Sequence, residues 1–133
     1  MVDSQAEQWN IAPYFFVPDV KAAAFYYRDT LGFSFDRFWG EPPTFCMVKR
    51  GGIIIMLSQV DTAGKLRPNG LVGREGGAWD AYAWVPDADA LHSEFTAKGA
   101  NIARKICDQE YGCRDFEVLD CNGYRLCFGQ ILW

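Results

Sequence analysis

Three side chains of different chemistry, Asp80, Arg125 and Cys127, fall on strand-like segments that also carry Tyr82 and Trp84. A carboxylate in a cavity accepts a proton or holds an amine. Asp80 therefore reads in two ways, as a ligand-facing group or as an ion-pair partner of Arg125 or of an arginine between residues 60 and 77. A thiol becomes a nucleophile when a base or a positive charge stabilises its thiolate. For Cys127 the available charge is Arg125, two residues away on the same strand face. The single histidine, His92, follows Leu91 in a helical segment and is not placed to act as its base. Cys127 accordingly reads first as a buried structural thiol, and Arg114, beside Tyr111-Gly112, first as a structural ion-pair member. The remaining functional signal is aromatic: ten Phe, six Tyr and five Trp, 16% of the chain. Flat, rigid rings suit either a ring-rich core or a stacking pocket.

These groups are positioned by a repeated pattern. Residues 9–17 read as a strand, with Pro13 pointing to a sheet edge or a bulge. Val17-Pro18-Asp19 then reverses the chain, and Asp19 suits an N-cap. The next segment places Val20, Ala24, Tyr27 and Leu31 on one helical face, and Gly32 closes it. Three strands follow, at roughly 33–39, 43–50 and 52–59, the last two joined at Gly51-Gly52. After a Gly-, Asp- and Pro-bearing loop at 60–77 the pattern recurs. A strand at 78–85 enters Val85-Pro86-Asp87. A helix carries Ala88, Leu91 and Phe95 on one face and stops at Gly99. Strands follow at about 101–106, 114–119 and 124–129, with a turn at Asn122-Gly123. The repeated tripeptide sets an offset of 68 residues, since 85 less 17 is 68. The reading is one α+β domain of two βαβββ modules related by an internal pseudo-two-fold: a tail at 1–8, a first module at 9–59, a connecting loop at 60–77 and a second module at 78–133.

Strand alternation separates two faces. Phe15 and Val17, Ile53, Ile55 and Leu57, Ala81 and Ala83, and Tyr124, Leu126 and Phe128 form an apolar set that should pack on the helices. The opposite set holds Tyr14 and Phe16, Ile54, Met56 and Ser58, Asp80, Tyr82 and Trp84, and Arg125 and Cys127. Rings beside a carboxylate and a guanidinium describe a cavity lining better than a solvated face. Trp39 and Phe45 are further stacking candidates.

Composition narrows the partners. A net charge of −4, with no Lys/Arg stripe, argues against nucleic acid and mildly favours a cationic ligand. Apolar stretches are strand-length, short of the roughly 20 residues that cross a bilayer, so no membrane partner is expected. The odd set Cys46, Cys107, Cys113, Cys121 and Cys127 contains no CxxC pair and reads as reduced thiols in a cytoplasmic protein.

Several segments together resemble the vicinal oxygen chelate superfamily, which holds glyoxalase I, extradiol dioxygenases, fosfomycin-resistance enzymes and bleomycin-resistance proteins. They are Val17-Pro18-Asp19, Phe25-Tyr26, Leu31-Gly32-Phe33, Val85 to Leu91 with Gly99, Tyr111-Gly112-x-Arg114-x-Phe116, and Asp120-Cys121-Asn122-Gly123-Tyr124-Arg125-Leu126. Cys121 stands where the family's hairpin has proline. The resemblance implies an incomplete mixed β-barrel with helices outside, a ligand or metal site in the concavity, and a homodimer. In metal-dependent members His, Glu or Gln ligands come from the first and last strand of each module, and counting places those positions at Ala12, Met56, Asp80 and Cys127. Alanine, thioether, carboxylate and thiol are not a coherent set for a hard divalent ion, so no metal or other cofactor is expected. The leading expectation is a metal-independent binding protein of the bleomycin-resistance, antibiotic-sequestering kind. Its small-molecule ligand, planar, aromatic or cationic, would meet Tyr14, Phe16, Trp39, Phe45, Met56, Asp80, Tyr82, Trp84, Arg125 and Cys127, with no catalytic residue assigned. The alternatives are a glyoxalase-like lyase or isomerase, or another enzyme of the dioxygenase family, and a protein-interaction module whose concave face binds a partner.

Overall fold

The computed structural model describes residues 9–61, 65–66, 68–69 and 78–133. The tail expected at 1–8 lies outside the described residues, as do Arg67 and Arg74 of the connecting loop. The order is β1 (Tyr14–Val17), α1 (Val20–Asp29), β2 (Phe38–Trp39), β3 (Phe45–Arg50), β4 (Ile53–Gln59), β5 (Ala81–Trp84), α2 (Ala88–Ala97), β6 (Asn101–Asp108), β7 (Cys113–Leu119) and β8 (Arg125–Ile131). Two four-stranded sheets run β1-β4-β3-β2 and β5-β8-β7-β6. The fold is α+β, two βαβββ units whose sheets do not close into a barrel.

Both helices start in the same way. Asp19 Oδ1 accepts from Ala22 N at 3.1 Å, and Asp87 Oδ1 accepts from Ala90 N at 3.0 Å. A glutamine at the end of each module's last strand supplies a second cap. Gln59 Oε1 accepts from Val20 N at 2.9 Å, and Gln130 Oε1 accepts from Ala88 N at 3.0 Å. Each glutamine thus satisfies an amide that the helix itself leaves without a partner. Helix α1 ends before Gly32, whose φ of +72° carries the chain back towards β2. A Cβ there would also overlap the Arg50 guanidinium, which donates to Leu31 O at 2.8 Å.

The strands are shorter than the hydrophobic runs predict. The run at 9–17 forms a strand only from Tyr14. Between 33 and 39 pairing reduces to Phe38–Trp39 and an isolated bridge from Ser34 to Lys49. The run at 78–85 pairs only over Ala81–Trp84. Pro13 lacks an N–H to extend the ladder, although its carbonyl still accepts from Met56 N at 3.0 Å, and β1 is an edge strand. The reverse holds at β8, which runs two residues past the expected end, to Ile131.

One core spans both modules. Val17, Val20, Ala24, Tyr27, Leu31, Leu57, Phe95, Phe116, Leu126 and Phe128 are buried in a single cluster, so the helix-facing strand set is the predicted one. Phe15 stacks on Tyr124 with centroids 4.1 Å apart and planes 2° from parallel, and the Tyr124 hydroxyl donates to Phe16 O at 2.6 Å. The Tyr27 hydroxyl donates to buried Asp120 at 2.6 Å. Asp120 in turn holds the β7–β8 turn by accepting from the amides of Asn122 and Tyr124. Arg50 on β3 grips Glu94 on α2 with two bonds, at 2.6 and 2.9 Å. These contacts fix the two modules to one another and aim the opposite sheet faces away from the helices. His92 stays on the helix side, edge-on to Phe116 at 5.0 Å.

Candidate functional site

The parallel registers align the modules. Tyr14 pairs with Met56 in the first and Tyr82 with Cys127 in the second. The two strand pairs are therefore equivalent, and from them the faces turned away from the helices can be compared position by position.

In the first module that face is aromatic and apolar. Tyr14 lies edge-on to Phe16 at 5.9 Å and 6.1 Å from Phe45; Phe45 lies edge-on to Trp39 at 5.6 Å. The directions of Trp39 and Phe45, open from sequence, are settled by the pairing of Trp39 with Phe45 and of Phe45 with Ser58 of β4, which itself pairs with Phe16 of β1. The Arg37 guanidinium covers the Trp39 ring at 4.7 Å.

In the second module the same face carries an ionic network that sequence reading missed. Arg104 of β6 donates to Asp115 at 2.5 Å and to Glu117 at 3.0 Å. Arg125 donates to Glu117 at 2.8 Å. The hydroxyls of Tyr111 and Tyr82 donate to Asp115 at 2.5 and 2.9 Å, and Trp79 Nε1 donates to Glu117 at 3.1 Å. Both carboxylates are buried. Burial alone would raise their pKa values. For Asp115 the bonds from Tyr111, Arg104 and Tyr82 outweigh it, and for Glu117 those from Trp79, Arg104 and Arg125, so both stay below the ordinary carboxylate range. The signal that could have found them was alternation within 113–119, where Cys113, Asp115 and Glu117 share a parity opposite to Phe116 and Val118. Gly129 makes room for this arrangement, because a Cβ there would overlap the Tyr82 hydroxyl.

Asp80 takes a structural role, though not as the ion-pair partner of Arg125, and Cys127 is buried, as its first reading had it. The Asp80 oxygens accept from Asn69 N at 2.6 Å and from the main-chain N of Arg125 at 2.8 Å. The carboxylate pins the connecting loop and the start of β8, while the Arg125 guanidinium turns to Glu117 instead. Burial pushes the Cys127 thiol well above its ordinary range, helped by the charges of Asp115 and Glu117, so it is a neutral thiol near pH 7. Arg114 pairs with Asp89 and Asp108, both at 3.0 Å.

A cleft of about 540 Å³ opens where the modules meet, between β4 and the segment before β1 on one side and β5 and β8 on the other. Tyr82, Trp84 and Cys127 line it together with Ala12 and Ile54, and Trp9 and Ile11 stand at its edge. Tyr14, Phe16, Trp39 and Phe45 form their own row on the first sheet, Met56 beside them on β4. The structure thus divides most of the expected site residues into two groups rather than one, places Arg125 in the ionic network and leaves Asp80 in a structural role before β5.

The positions that carry metal ligands in metal-dependent relatives do not fit a divalent ion here. Ala12 has no donor atom, Met56 offers a thioether, Asp80 is taken up by two amides, and Cys127 is a buried neutral thiol. Among the described residues no three His, Cys, Asp or Glu side chains are grouped to hold a metal. Nor is any described helix long and apolar enough to cross a membrane.

Known structures share this architecture. TioX from Micromonospora sp. ML1 superposes with a TM-score of 0.72 at 21% identity, covering 94% of this chain and all of that one. The bleomycin-binding protein from bleomycin-producing Streptomyces verticillus, complexed with copper(II)-bleomycin, gives a TM-score of 0.64 at 26% identity over 96% and 97% of the two chains. Lactoylglutathione lyase from Agrobacterium tumefaciens gives 0.64 at 18% identity, over 90% and 91%. No curated protein matches by sequence. Residues 10–128 match the family model described as Glyoxalase/Bleomycin resistance protein/Dioxygenase superfamily, and the chain belongs to that superfamily.

Proposed function

We propose that this protein is a metal-independent binder of a planar, aromatic small molecule, of the antibiotic-sequestering kind. The observation that carries the reading is the exposure of large rings on the faces turned from the helices. Trp84 is 63%, Tyr14 56% and Tyr111 51% exposed, although each stands on or beside a strand. Exposed apolar patches of this kind mark interaction sites. The likeness to a bleomycin-binding protein supports a small-molecule ligand. The lack of a hard donor at Ala12 and Met56 favours binding over metal-assisted lyase chemistry.

The ligand rests on Trp84 and Tyr82 in the seam cleft, with the Tyr14, Phe16, Trp39 and Phe45 row as a second stacking surface. A second copy of the chain suits this layout, since Trp9, Ile11, Leu132 and Trp133 are also exposed and would be covered in a homodimer. Five cysteines without a disulfide suit a reducing cytoplasm. Tryptophan fluorescence, read against a panel of flat compounds including bleomycin, acridine orange and doxorubicin, tests the reading. Saturable quenching by at least one member, weakened in Trp84→Ala, is expected; no quenching by any member overturns it.

A further inference from the structure

On the second module a pocket of about 290 Å³ is walled by Trp79, Tyr82, Trp84, Tyr111 and Cys113. The rings meet at steep angles, as walls do. Trp79 and Tyr82 are 4.9 Å apart at 56°, Tyr82 and Trp84 5.0 Å at 54°, and Trp79 and Tyr111 6.3 Å at 72°. No polar atom is exposed inside. Three of the four rings turn their polar edge outward onto a buried carboxylate: Tyr82 and Tyr111 onto Asp115, Trp79 onto Glu117.

We propose that this pocket is an aromatic cage for an organic cation without N–H donors, a quaternary ammonium group carried by the ligand. The inference rests on the reading of this face as a ligand site and names the chemistry of one end of that ligand. A primary ammonium would lose its water and find no acceptor here, because no polar atom is exposed inside the pocket. A quaternary ammonium needs no acceptor and gains from several ring faces at once. Phenol and indole groups that donate to a carboxylate hold more electron density in the ring, which strengthens that attraction. The Arg104 and Arg125 guanidiniums engage Asp115 and Glu117 and do not line the pocket. Tyr82 and Trp84 wall both this pocket and the seam cleft, so a planar body in the cleft places a cationic substituent in the cage.

The test compares choline with its uncharged isostere 3,3-dimethylbutan-1-ol. The intact protein is titrated with each, reading tryptophan fluorescence and the N-methyl or t-butyl proton signal. Choline is expected to bind at least about tenfold more tightly than the alcohol, and Trp84→Ala, whose side chain is largely exposed, to remove most of that preference. Equal affinity for both compounds overturns the cage and leaves a merely apolar pocket, as does no binding of choline. The flat-compound panel is run in parallel. Quenching by a flat compound without a preference for choline sinks the cage and leaves the proposed function standing. A preference for choline with a silent panel supports the cage and sinks the planar-ligand reading.

Discussion

The two modules agree on one side of their sheets and differ on the other. Towards the helices both present apolar strands, aspartate caps and a glutamine on the first helical amide. Away from the helices, equivalent positions hold Phe45 and Asp115, Met47 and Glu117, Ile54 and Arg125, Met56 and Cys127, and Ser58 and Gly129. Packing against a helix admits few solutions, because a void or a buried charge costs several kcal/mol. The other face is limited only by what it must meet. The first module fills it with rings and thioethers. The second builds an ionic floor that holds rings at fixed angles. That floor is stable only when complete, since each buried carboxylate needs its full set of donors.

The largest expected effect follows from that condition. Arg104→Met leaves Asp115 and Glu117 without their shared cation and should cost on the order of 3–5 kcal/mol in urea unfolding. Arg125→Met leaves Glu117 still paired with Arg104 and should cost about 1–2 kcal/mol. Met47→Ala, at the first-module position equivalent to Glu117 and half-buried, should cost about 1 kcal/mol. Equal losses for Arg104→Met and Met47→Ala would break the contrast between the faces.

Gly129→Ala, second only to Arg104→Met, should cost about 2 kcal/mol, because the new methyl group displaces the Tyr82 hydroxyl. Adding Tyr82→Phe should cost less than the sum of the two single changes, since both disturb one contact. Ser58→Ala at the equivalent first-module position should stay within about 0.5 kcal/mol.

Alkaline pH separates the faces more gently. Burial raises the Tyr82 and Tyr111 pKa values above the ordinary 10.0, followed by hydrogen bonding to Cys113 and Asp115 for Tyr82 and to Asp115 for Tyr111. Raised values mean that their contribution to stability is complete below about pH 10 and declines as pH rises beyond it. Tyr26, pushed up to about 12, and Tyr27 add to the same decline from the helix side. Unfolding free energy measured from pH 8 to 11 should fall above 10, and the Tyr82→Phe/Tyr111→Phe pair should flatten the fall. The smallest effect is also where the contrast should vanish. Gln59→Ala and Gln130→Ala should each cost about 1 kcal/mol, with equal values in thermal unfolding.

What was legible in the sequence follows the same division. The repeat, both helices, both hairpin turns and the helix-facing strand sets could be read, because each rests on local periodicity or on paired Val-Pro-Asp and glycine signals. The network could not. Arg104 is set opposite Glu117 by register shifts on either side of that pair in the β6–β7 ladder, and such a shift leaves no mark in hydropathy. Asp80 stood out as the carboxylate on a strand among rings, yet its partners are main-chain amides, one from Asn69 in the loop, which no pattern of side chains announces. The short β2 shows the opposite failure. Phe33 and Phe35 alternate like a strand, with Phe38 close behind, but all three rings serve packing: Phe33 is buried against Tyr27, and Phe35 and Phe38 contact Phe25.

The central claim is that the rings of this fold bind a flat ligand without a metal. Calorimetric titration of chelator-treated, desalted protein with the flat-compound panel tests it most directly. The account predicts saturable binding by at least one compound, with the same affinity after Ni, Zn, Mn or Fe(II) is restored and a marked loss in Trp84→Ala. Binding that appears only once a metal is restored would contradict it.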